Sequence, residues 1–349
     1  MSSISRTIRA GIVGYGYMGQ IRHRNIRDHA EIELAAICDP ARPEDVSRLG
    51  VPVFATWQEL LSADLDVVFV CTPNKLIPEI AVQALQRGRN VFCEKPPGRN
   101  LADIERIREA EQANPRCKLI FGFNHRHHPG ITDAKAIIDS GTLGEILTLR
   151  GVYGKSGGYD YHKSWRNDPA VGGGGILLDQ GLHMIDLFHL FVGDFQECMG
   201  MRGVVHYDVP VEDNALVILR TARGQLAQLH SSATSWKHTF RLEIGCEAGY
   251  VNVSGLLSKT GSYGRETLVV GRRPGRGEKV AVGNPREETT YYDADPSWDI
   301  EVGHLIECIQ KDKPVGKGTS LDALKAMKII DQVYREPISR YAPAHPSAP

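Results

Sequence analysis

The first third of the chain alternates short apolar runs with stretches in which apolar residues recur every three or four positions. The apolar runs predict strands near 8–13, 33–38, 52–55, 66–71, 91–93 and 117–122. The stretches with helical spacing predict helices near 19–27, 57–62, 77–87 and 101–113. Residues 66–71 are nearly all apolar, as in a strand that is buried on both faces. The alternation therefore predicts a parallel sheet with helices on both faces.

Beyond a helix near 129–139, the pattern changes to short segments separated by Gly, Pro or Asp turns. These segments predict strands near 145–154, 200–207, 213–221, 224–233, 239–246, 249–254 and 265–271. Further helices are predicted near 176–191, 298–311 and 320–335. We therefore expect an α/β domain over 1–124 and an α+β domain over 125–336 with a large, mostly antiparallel open sheet. The last helix is expected to pack back toward the first domain, and the tail 337–349 to be disordered in its proline-rich part, 343–349.

Composition and charge restrict the class of partner. The length of 349 residues is enough for about two domains, each with a core of its own. A net charge of −1 offers no electrostatic footprint for nucleic acid or an anionic membrane, so we expect a small-molecule partner. No apolar run reaches the roughly 18 residues of a membrane span, and residues 1–6 leave no room for a signal peptide, so we expect the cytoplasm. The seven scattered cysteines form no CxxC pair and are expected to be small buried hydrophobes.

A glycine motif, Gly14-x-Gly16-x-x-Gly19, directly follows the first predicted strand. In a dinucleotide-binding turn, the first glycine permits the tight turn, the second lets the backbone approach a pyrophosphate, and the third lets the next helix pack closely. Such a string also arises by chance in a chain with 36 glycines, where a plain turn would explain it. Its place between strand and helix, and a second strand that ends in Asp39, favour a dinucleotide site in a Rossmann domain.

Asp39 indicates which nicotinamide cofactor the turn would take. Its carboxylate is suited to accept hydrogen bonds from the adenosine ribose diol. A 2′-phosphate about 4 Å away would instead cost on the order of 4 kcal/mol at an effective dielectric near 20. NAD is therefore favoured over NADP. The alternative is that Asp39 merely opens the Asp39-Pro40 turn, and Arg42 nearby would offset part of the repulsion.

Five motifs, in this order and spacing, resemble the Gfo/Idh/MocA family of nicotinamide-dependent oxidoreductases. They are the glycine motif, Thr72-Pro73-Asn74, Glu94-Lys95-Pro96, Gly122-Phe123-Asn124-His125-Arg126 and Asp179-x-Gly181-x-His183, and the match spans roughly residues 7–336. The resemblance implies a Rossmann domain followed by a C-terminal domain whose open sheet commonly mediates oligomers. It also implies the following cofactor-binding residues: Gly14, Tyr15, Gly16, Tyr17, Met18, Gly19, Asp39, Cys71, Thr72, Pro73, Asn74, Glu94, Lys95 and Asn124.

The resemblance further implies a catalytic set of Lys95, Asp179 and His183. The Lys95 ammonium would polarise the reacting oxygen, although sequence chemistry alone favours a surface lysine paired with Glu94. Asp179 and His183 are four residues apart on a predicted helix, so their side chains project from one face. His183 would be the general base in alcohol oxidation, and Asp179 would bind substrate and tune His183. Asp186, one turn later, is expected to hold the helix in place.

Another set of residues is expected to bind substrate: Arg126, Tyr161, Lys163, Trp165, Arg166, Asp179 and His183. Aromatic faces in this set would stack on a sugar and cations would bind hydroxyls or phosphate, but packing within a loop explains the residues from 161 to 166 nearly as well. The glycine run 172–175 suggests a backbone that passes close to a ligand. His125, His127 and His128 lack a second ligand cluster at zinc spacing, so we expect a site without metal.

Together these features predict an NAD-dependent oxidoreductase that transfers a hydride between nicotinamide and a secondary ring hydroxyl. The substrate would be a sugar, a sugar derivative that includes nucleotide-linked sugars, or a cyclitol. Two alternatives stay open within the resemblance: an enzyme that retains NAD and cleaves glycosidic bonds, and a non-catalytic regulator that senses NAD. The presence of Lys95 and His183 argues against the regulator. We expect a homodimer or homotetramer that assembles through the C-terminal sheet.

Overall fold

The computed structural model describes residues 6–41, 46, 48–258, 261–273 and 286–342. The chain divides into two compact units. The first contains 1–124, 170–173 and 296–327, and the second contains 125–169, 174–295 and 328–349. This division differs from the single boundary expected at 124, because two later segments belong to the first unit. The predicted disorder of 343–349 and the predicted effect of Arg42 lie outside the described residues.

The first unit is a doubly wound parallel sheet of six strands, in the order β3-β2-β1-β4-β5-β6. Its strands are β1 (Ile8–Val13), β2 (Ile32–Cys38), β3 (Val53–Phe54), β4 (Val67–Val70), β5 (Asn90–Cys93) and β6 (Leu119–Phe121). The helices between them are α1 (Tyr17–Arg27), α2 (Trp57–Leu60), α3 (Ile77–Gln86) and α4 (Leu101–Ala113). Every strand and helix predicted for residues 8–122 is present, and the Rossmann architecture is confirmed.

The sheet register brings several predicted cofactor residues to one edge. Val13 pairs with Cys38 on one side and with Val70 on the other, and Val70 pairs with Cys93. The residues that follow these four strand ends therefore lie along the carboxyl edge of the sheet: Gly14, Asp39, Cys71 and Glu94. The strand order reverses between β1 and β4, and ligands of such sheets bind in the crevice at that point.

The second unit is built on a nine-stranded sheet, in the order β14-β13-β12-β11-β7-β10-β9-β8-β15. In chain order its elements are α5 (Pro129–Asp139), β7 (Ile146–Ser156), α6 (Leu182–Val192), β8 (Phe195–Val204), β9 (Asn214–Thr221), β10 (Leu226–Ser232), β11 (Thr234–Cys246), β12 (Gly249–Ser254), β13 (Glu266–Arg272) and β14 (Glu287–Tyr292). The pairs β7–β10 and β8–β15 are parallel and the others antiparallel, which confirms a mostly antiparallel sheet.

The chain ends in α7 (Ser297–Gln310), α8 (Ser320–Tyr334) and β15 (Ser339–Arg340). Helix α7 belongs to the first unit, because its apolar face packs into the hydrophobic core that also contains β1 and β2 residues. Its core residues are Val302, Leu305 and Ile306. Helix α8 is divided between the units after Met327.

Two strands escaped prediction for a physical reason. Five of the six residues of β14 are exposed, so this strand shows no alternation of buried and exposed positions. The strand β15 has only two residues, both exposed. The helix predicted near 176–191 also differs, because it begins with a π-helical turn over Leu177–Gly181 before α6. Within the described residues, no helix has both the length and the apolar character that crossing a membrane requires.

Candidate active site

The glycine turn after β1 has the geometry that a dinucleotide site requires. Gly14 has a φ of 88°, and a Cβ there would lie 2.6 Å from the carbonyl oxygen of Cys71. A Cβ on Gly19 would lie 2.1 Å from the carbonyl oxygen of Gly14, so close packing of α1 requires this glycine. A Cβ on Gly16 would meet nothing within 4 Å. Protein packing therefore does not explain Gly16, whereas close approach of a pyrophosphate does.

The turn also presents the start of a helix to that space. Gly16 is the N-cap of α1, and having no side chain it leaves the first backbone N–H groups of the helix without a side-chain cap. These N–H groups and the helix dipole favour a bound anion. Tyr17, the first residue of α1, is 65% exposed, and Met18 is half-buried beside it. The residues present thus fit the phosphates of a dinucleotide.

Asp39 is held beside the glycine turn by two backbone donors. Its Oδ2 accepts a hydrogen bond from the Tyr15 N–H at 2.7 Å, and its Oδ1 accepts one from the Ala41 N–H at 2.9 Å. Each carboxylate oxygen has a further acceptor position, which suits a ribose diol. The bond to Ala41 shows that Asp39 also shapes the turn that follows β2, so the two interpretations of this residue are compatible.

Thr72 provides a second sign of a polar ligand at this edge. Its hydroxyl oxygen is buried and has no hydrogen-bond partner among the described residues. A buried hydroxyl without a partner is costly, and it is often explained by a ligand or water. Thr72 follows Cys71, and burial raises the pKa of the Cys71 thiol well above its ordinary value, so this thiol stays protonated. Both residues belong to the predicted cofactor set.

The two asparagines of the predicted cofactor set serve as anchors within the first unit. The Asn74 side chain donates to the carbonyl of Gly172 at 2.7 Å, and the Lys75 N–H donates to the carbonyl of Val171 at 3.1 Å. These bonds attach the segment 170–173 to the turn that begins at Pro73. Asn124 is buried and donates to the Ser297 hydroxyl at 3.1 Å. Their cofactor contacts stay predictions.

Lys95 follows the end of β5 and is half-buried. Its neighbour Glu94 is 5% exposed and accepts a hydrogen bond from Arg22 Nε at 2.6 Å. The Glu94 carboxylate is thus engaged by a buried guanidinium, which removes the alternative of a surface pair between Glu94 and Lys95. The predicted contact of Glu94 with the cofactor stays a prediction, and the structure adds the bond to Arg22.

Arg22 is the residue that sequence reasoning missed in this region. It lies in the middle of α1, is fully buried, and also donates from Nη2 to Glu301 on α7 at 2.8 Å. Its guanidinium carbon lies 4.1 Å from the centre of the Phe92 ring. Burial opposes its charge, but Glu94 and Glu301 more than compensate and raise the pKa of Arg22 above its usual value. Arg22 therefore links the helix of the glycine turn to the strand end that carries Lys95.

In the second unit, the π-turn and α6 carry Asp179 and His183. His183 is 3% exposed, and its ring stacks on that of His125 with centroids 3.7 Å apart and an interplanar angle of 17°. Asp179 is half-buried, with Lys155 Nζ at 3.9 Å and Arg166 Nε at 3.5 Å. A π-turn inside a helix is frequent at functional sites because it re-aims the side chains around it.

Asp179 borders a cavity of about 240 Å³ in the second unit. Of the predicted substrate residues, Tyr161, Arg166 and Asp179 line it. Gly175, from the glycine run expected near a ligand, also lines it. Sequence reasoning missed five further lining residues: Lys155, Gly157, Asp160, Ser164 and Asn167. Lys155 could have been found from the strand predicted over 145–154, because in the structure this strand continues to Ser156 and includes Lys155.

Two predicted substrate residues of the same loop lie outside the cavity wall. Lys163 Nζ forms an ion pair with Asp160 at 2.7 Å, with both side chains mostly exposed. Trp165 is 37% exposed, and the Arg166 guanidinium carbon lies 4.5 Å from its ring centre. Since exposed ion pairs contribute little to stability, the Lys163 ammonium is easily redirected toward a ligand.

Arg126 is used for packing in the second unit. Its Nε and Nη2 donate to the two carboxylate oxygens of Asp186 at 2.7 and 2.6 Å, and both residues are buried. Asp186 thus holds α6 in place, as predicted. This paired geometry gives Arg126 a structural role, and its predicted contact with substrate stays a prediction.

Packing against the chain itself requires the glycines from 173 to 175. A Cβ on Gly173, which has a φ of 90°, would lie 2.5 Å from the Arg99 backbone in the first unit. In the second unit, a Cβ on Gly174 would lie 2.1 Å from the Tyr334 hydroxyl, and one on Gly175 would lie 1.9 Å from a backbone oxygen of Glu212. These contacts exclude a side chain at the three positions even without a ligand, and the predicted approach to a ligand stays a prediction.

The histidines after Asn124 are engaged by other side chains. His128 Nδ1 lies 2.8 Å from Glu266 Oε2, and His125 Nε2 lies 2.8 Å from the Tyr153 hydroxyl. His127 is also buried, at 5% exposure. Within the part of the chain that the structure describes, no group of three or more His, Cys, Asp or Glu residues is placed to hold a metal ion.

Family profiles match the sequence in both units. A profile described as an oxidoreductase family with an NAD-binding Rossmann fold matches residues 8–123. A profile described as the GFO/IDH/MocA C-terminal domain matches residues 131–252. Together these matches bear out the resemblance seen in the five sequence motifs.

Similar curated proteins include sugar and cyclitol dehydrogenases. Levoglucosan dehydrogenase from Pseudarthrobacter phenanthrenivorans is 27% identical over 241 residues, which is 63% of this chain and 60% of that protein. Inositol 2-dehydrogenase from Rhizobium meliloti is 27% identical over 258 residues, 70% of this chain and 75% of that protein. The chain thus aligns with less than two thirds of the length of the levoglucosan dehydrogenase.

Solved structures with the same fold include proteins bound to nicotinamide cofactors. A levoglucosan dehydrogenase in complex with NADH superimposes with a TM-score of 0.82, at 20% identity, over 95% of this chain and 96% of that chain. The WlbA dehydrogenase from Bordetella pertussis, in complex with NADH and UDP-GlcNAcA, gives a TM-score of 0.77 at 22% identity, over 95% and 96% of the chains. At these identities the likeness concerns the fold.

Proposed function

This chain belongs to the Gfo/Idh/MocA family of oxidoreductases, and from that premise we propose that it is an NAD-dependent dehydrogenase of a secondary ring hydroxyl. The substrate class is a sugar, a sugar derivative or a cyclitol. The observation that carries the proposal is that a glycine turn shaped for a dinucleotide stands in the same chain as Lys95, Asp179 and His183. A regulator of the same fold would not need these three side chains.

The roles of these residues follow from the family resemblance and from their chemistry. Lys95 donates a hydrogen bond to the reacting oxygen and stabilises the negative charge that develops on it. His183 accepts the hydroxyl proton, and Asp179 hydrogen-bonds the substrate. The nicotinamide ring, when bound, supplies the hydride acceptor. These assignments are part of the proposal.

The cavity lining supports a polyhydroxylated and uncharged substrate portion. Lys155 and Arg166 carry positive charge there and Asp160 and Asp179 negative charge, so the four formal charges balance. Such a wall offers donors and acceptors to hydroxyl groups without a net attraction for an anion. The names of the similar proteins, levoglucosan dehydrogenase and inositol 2-dehydrogenase, agree with a ring substrate that carries several hydroxyls.

A substrate panel tests the proposed function. Neutral sugars, cyclitols and nucleotide-linked sugars are incubated with the protein and excess NAD, and the absorbance of reduced nicotinamide is followed. We expect turnover with at least one sugar or cyclitol, and loss of that turnover in His183→Ala. Accumulation of free NADH excludes an enzyme that retains its NAD during glycoside cleavage. Tight NAD binding without turnover of any compound would instead favour the regulator.

Preference for NAD over NADP is the finer part of the cofactor proposal. We expect Asp39→Ser to lower the ratio of kcat/KM with NAD to kcat/KM with NADP by at least about tenfold. The reason is that the substitution removes repulsion between the carboxylate and a 2′-phosphate. Asp28→Ser, at an exposed position just after α1, is the control and should leave the ratio unchanged. An unaltered NAD preference in Asp39→Ser would refute the assignment.

We also propose that a second copy of the chain covers part of the open sheet in the second unit. On β8 and β9, Met199 pairs with Ile218 and Met201 with Leu216, and all four side chains lie 46–75% exposed. Along β9, the exposed Leu216 and Ile218 alternate with buried residues. The four exposed side chains of the two paired strands therefore lie on one face of the sheet. A contiguous exposed apolar patch of this kind marks an interaction surface.

Charge at this patch should prevent assembly. We expect the double variant Met201→Glu and Ile218→Glu to shift the protein from a dimer or tetramer to a monomer, since a buried unpaired carboxylate opposes association. Light scattering after size-exclusion chromatography measures the mass. Thr289→Glu, on the exposed edge strand β14, is the control and should keep the native mass. A wild-type protein that is monomeric at micromolar concentration, or a double variant that still assembles, would contradict the proposal.

A further inference from the structure

The stack of His125 on His183 is a built feature of the second unit. The two rings are nearly parallel, with centroids 3.7 Å apart, and both residues are buried, at 6% and 3% exposure. His183 projects from α6, whereas His125 comes from the short 3₁₀ turn Asn124–His127, more than 50 positions earlier. The His125 ring therefore covers one face of the imidazole that we assign as the base.

A tyrosine hydroxyl holds His125 in this position. Its Nε2 lies 2.8 Å from the Tyr153 hydroxyl, and the Tyr153 ring packs edge-on against that of Tyr263, with centroids 5.6 Å apart. The ring of Phe240 packs perpendicular to that of Tyr153, with ring centroids 5.4 Å apart. Burial raises the pKa of Tyr153 well above its ordinary value, so its hydroxyl keeps its proton. A ring clamped at its nitrogen and its edges has little freedom to turn.

We propose that His125 is a positioning residue for His183. Its ring fixes the plane of the His183 ring by stacking, and as a second titratable imidazole it influences proton uptake by His183. This inference rests on the proposed function in that it gives His183 the role of base. It concerns His183 directly, however, and is measurable without a substrate.

The charges around the pair define how it takes up protons. Two imidazolium rings at this separation would repel each other, so we expect a proton on one ring to disfavour a proton on the other. Neighbouring ionisable groups are engaged: His128 with Glu266, Arg126 with Asp186, and Tyr153 with His125 itself. Asp179, on the π-turn that precedes α6, contributes negative charge near Tyr153, whose hydroxyl bonds His125.

Three variants separate the effects of the His125 ring, of its charge and of its hydrogen bond to Tyr153. His125→Leu removes the aromatic face at similar volume, His125→Phe keeps a face but removes the charge, and Tyr153→Phe removes only the hydroxyl. With His125→Leu we expect kcat to fall by at least about tenfold at little changed KM, because displacement of a catalytic group is costly. His125→Phe should retain most of kcat and Tyr153→Phe an intermediate part. His206→Leu, at an exposed histidine, is the control.

Nuclear magnetic resonance of the histidine side chains in the same proteins, in the absence of substrate, provides the decisive measurement. The His183 signal is identified by its loss in His183→Gln. In His125→Leu it should lose its ring-current displacement. In His125→Phe its titration midpoint should rise by about half a pH unit or more, because a phenyl face attracts the imidazolium and carries no competing proton. An unchanged His183 signal and midpoint in both variants would overturn the inference, whether or not the substrate panel shows turnover.

Discussion

Replacement of Lys95 by methionine should lower turnover by about 10²- to 10⁴-fold while NAD still binds. A charged donor at the reacting oxygen contributes in this range, and methionine keeps the length of the side chain without the ammonium. NAD binding should persist because other residues form the glycine turn and hold Asp39: Gly14, Gly16, Gly19 and the Tyr15 and Ala41 backbone. The rate is measured by NADH absorbance and the NAD affinity by calorimetry.

Lys75→Met is the matched control for this prediction. Lys75 is an exposed lysine in the turn after β4, and β4 is the neighbour of the strand that precedes Lys95. We expect its turnover to stay near that of the wild type. Lys95→Arg, which keeps a charge but changes its shape, should recover only a small part of the rate. Full activity in Lys95→Met would reject the proposed role, and joint loss of activity and NAD binding would show a structural effect instead.

Replacement of Arg22 by methionine should destabilise the first unit by about 3–5 kcal/mol. The substitution leaves Glu94 and Glu301 buried without their common cation, at 5% and 1% exposure. Urea unfolding gives the free energy, and the fluorescence of Trp57 and Trp298 reports on this unit. Because the Glu94 carboxylate precedes Lys95, we also expect turnover to fall more than NAD affinity.

A triple variant and a surface variant complete this test. Adding Glu94→Gln and Glu301→Gln to Arg22→Met removes both buried charges, so a substantial part of the lost stability should return. Arg27→Met, at a position of α1 whose side chain is 70% exposed, should change stability by less than about 0.5 kcal/mol. An Arg22→Met protein as stable as Arg27→Met would show that the buried ion pairs contribute nothing net.

Local patterns in the sequence were enough to predict the architecture of the first unit. Apolar runs such as 66–71 indicate a strand that is buried on both faces. This signal is visible in the sequence because it depends only on adjacent residues. The role of Gly14 and Gly19 also follows from local geometry, since their φ angle or close packing excludes a side chain. Asp39 was identified for the same reason, because it ends the strand next to the glycine turn.

Contacts between distant positions required the folded chain. Arg22 meets Glu94 across 72 positions and Glu301 across 279, and its place in an ordinary helical pattern contains no sign of either partner. The same holds for the glycines from 173 to 175, where Arg99, Tyr334 and Glu212 exclude a side chain. The stack of His125 on His183 also joins two elements that the sequence keeps apart.

The physical reason for this division is the range of the interactions involved. Periodicity, backbone sterics and turn chemistry act between residues a few positions apart, so the sequence was sufficient for the type and order of most elements. Packing between elements that are remote along the chain decides the pairing of buried charges. It also decides which ring stacks on His183. Those pairings, which convert a recognisable motif into a positioned set of side chains, exist only once the sheets have assembled.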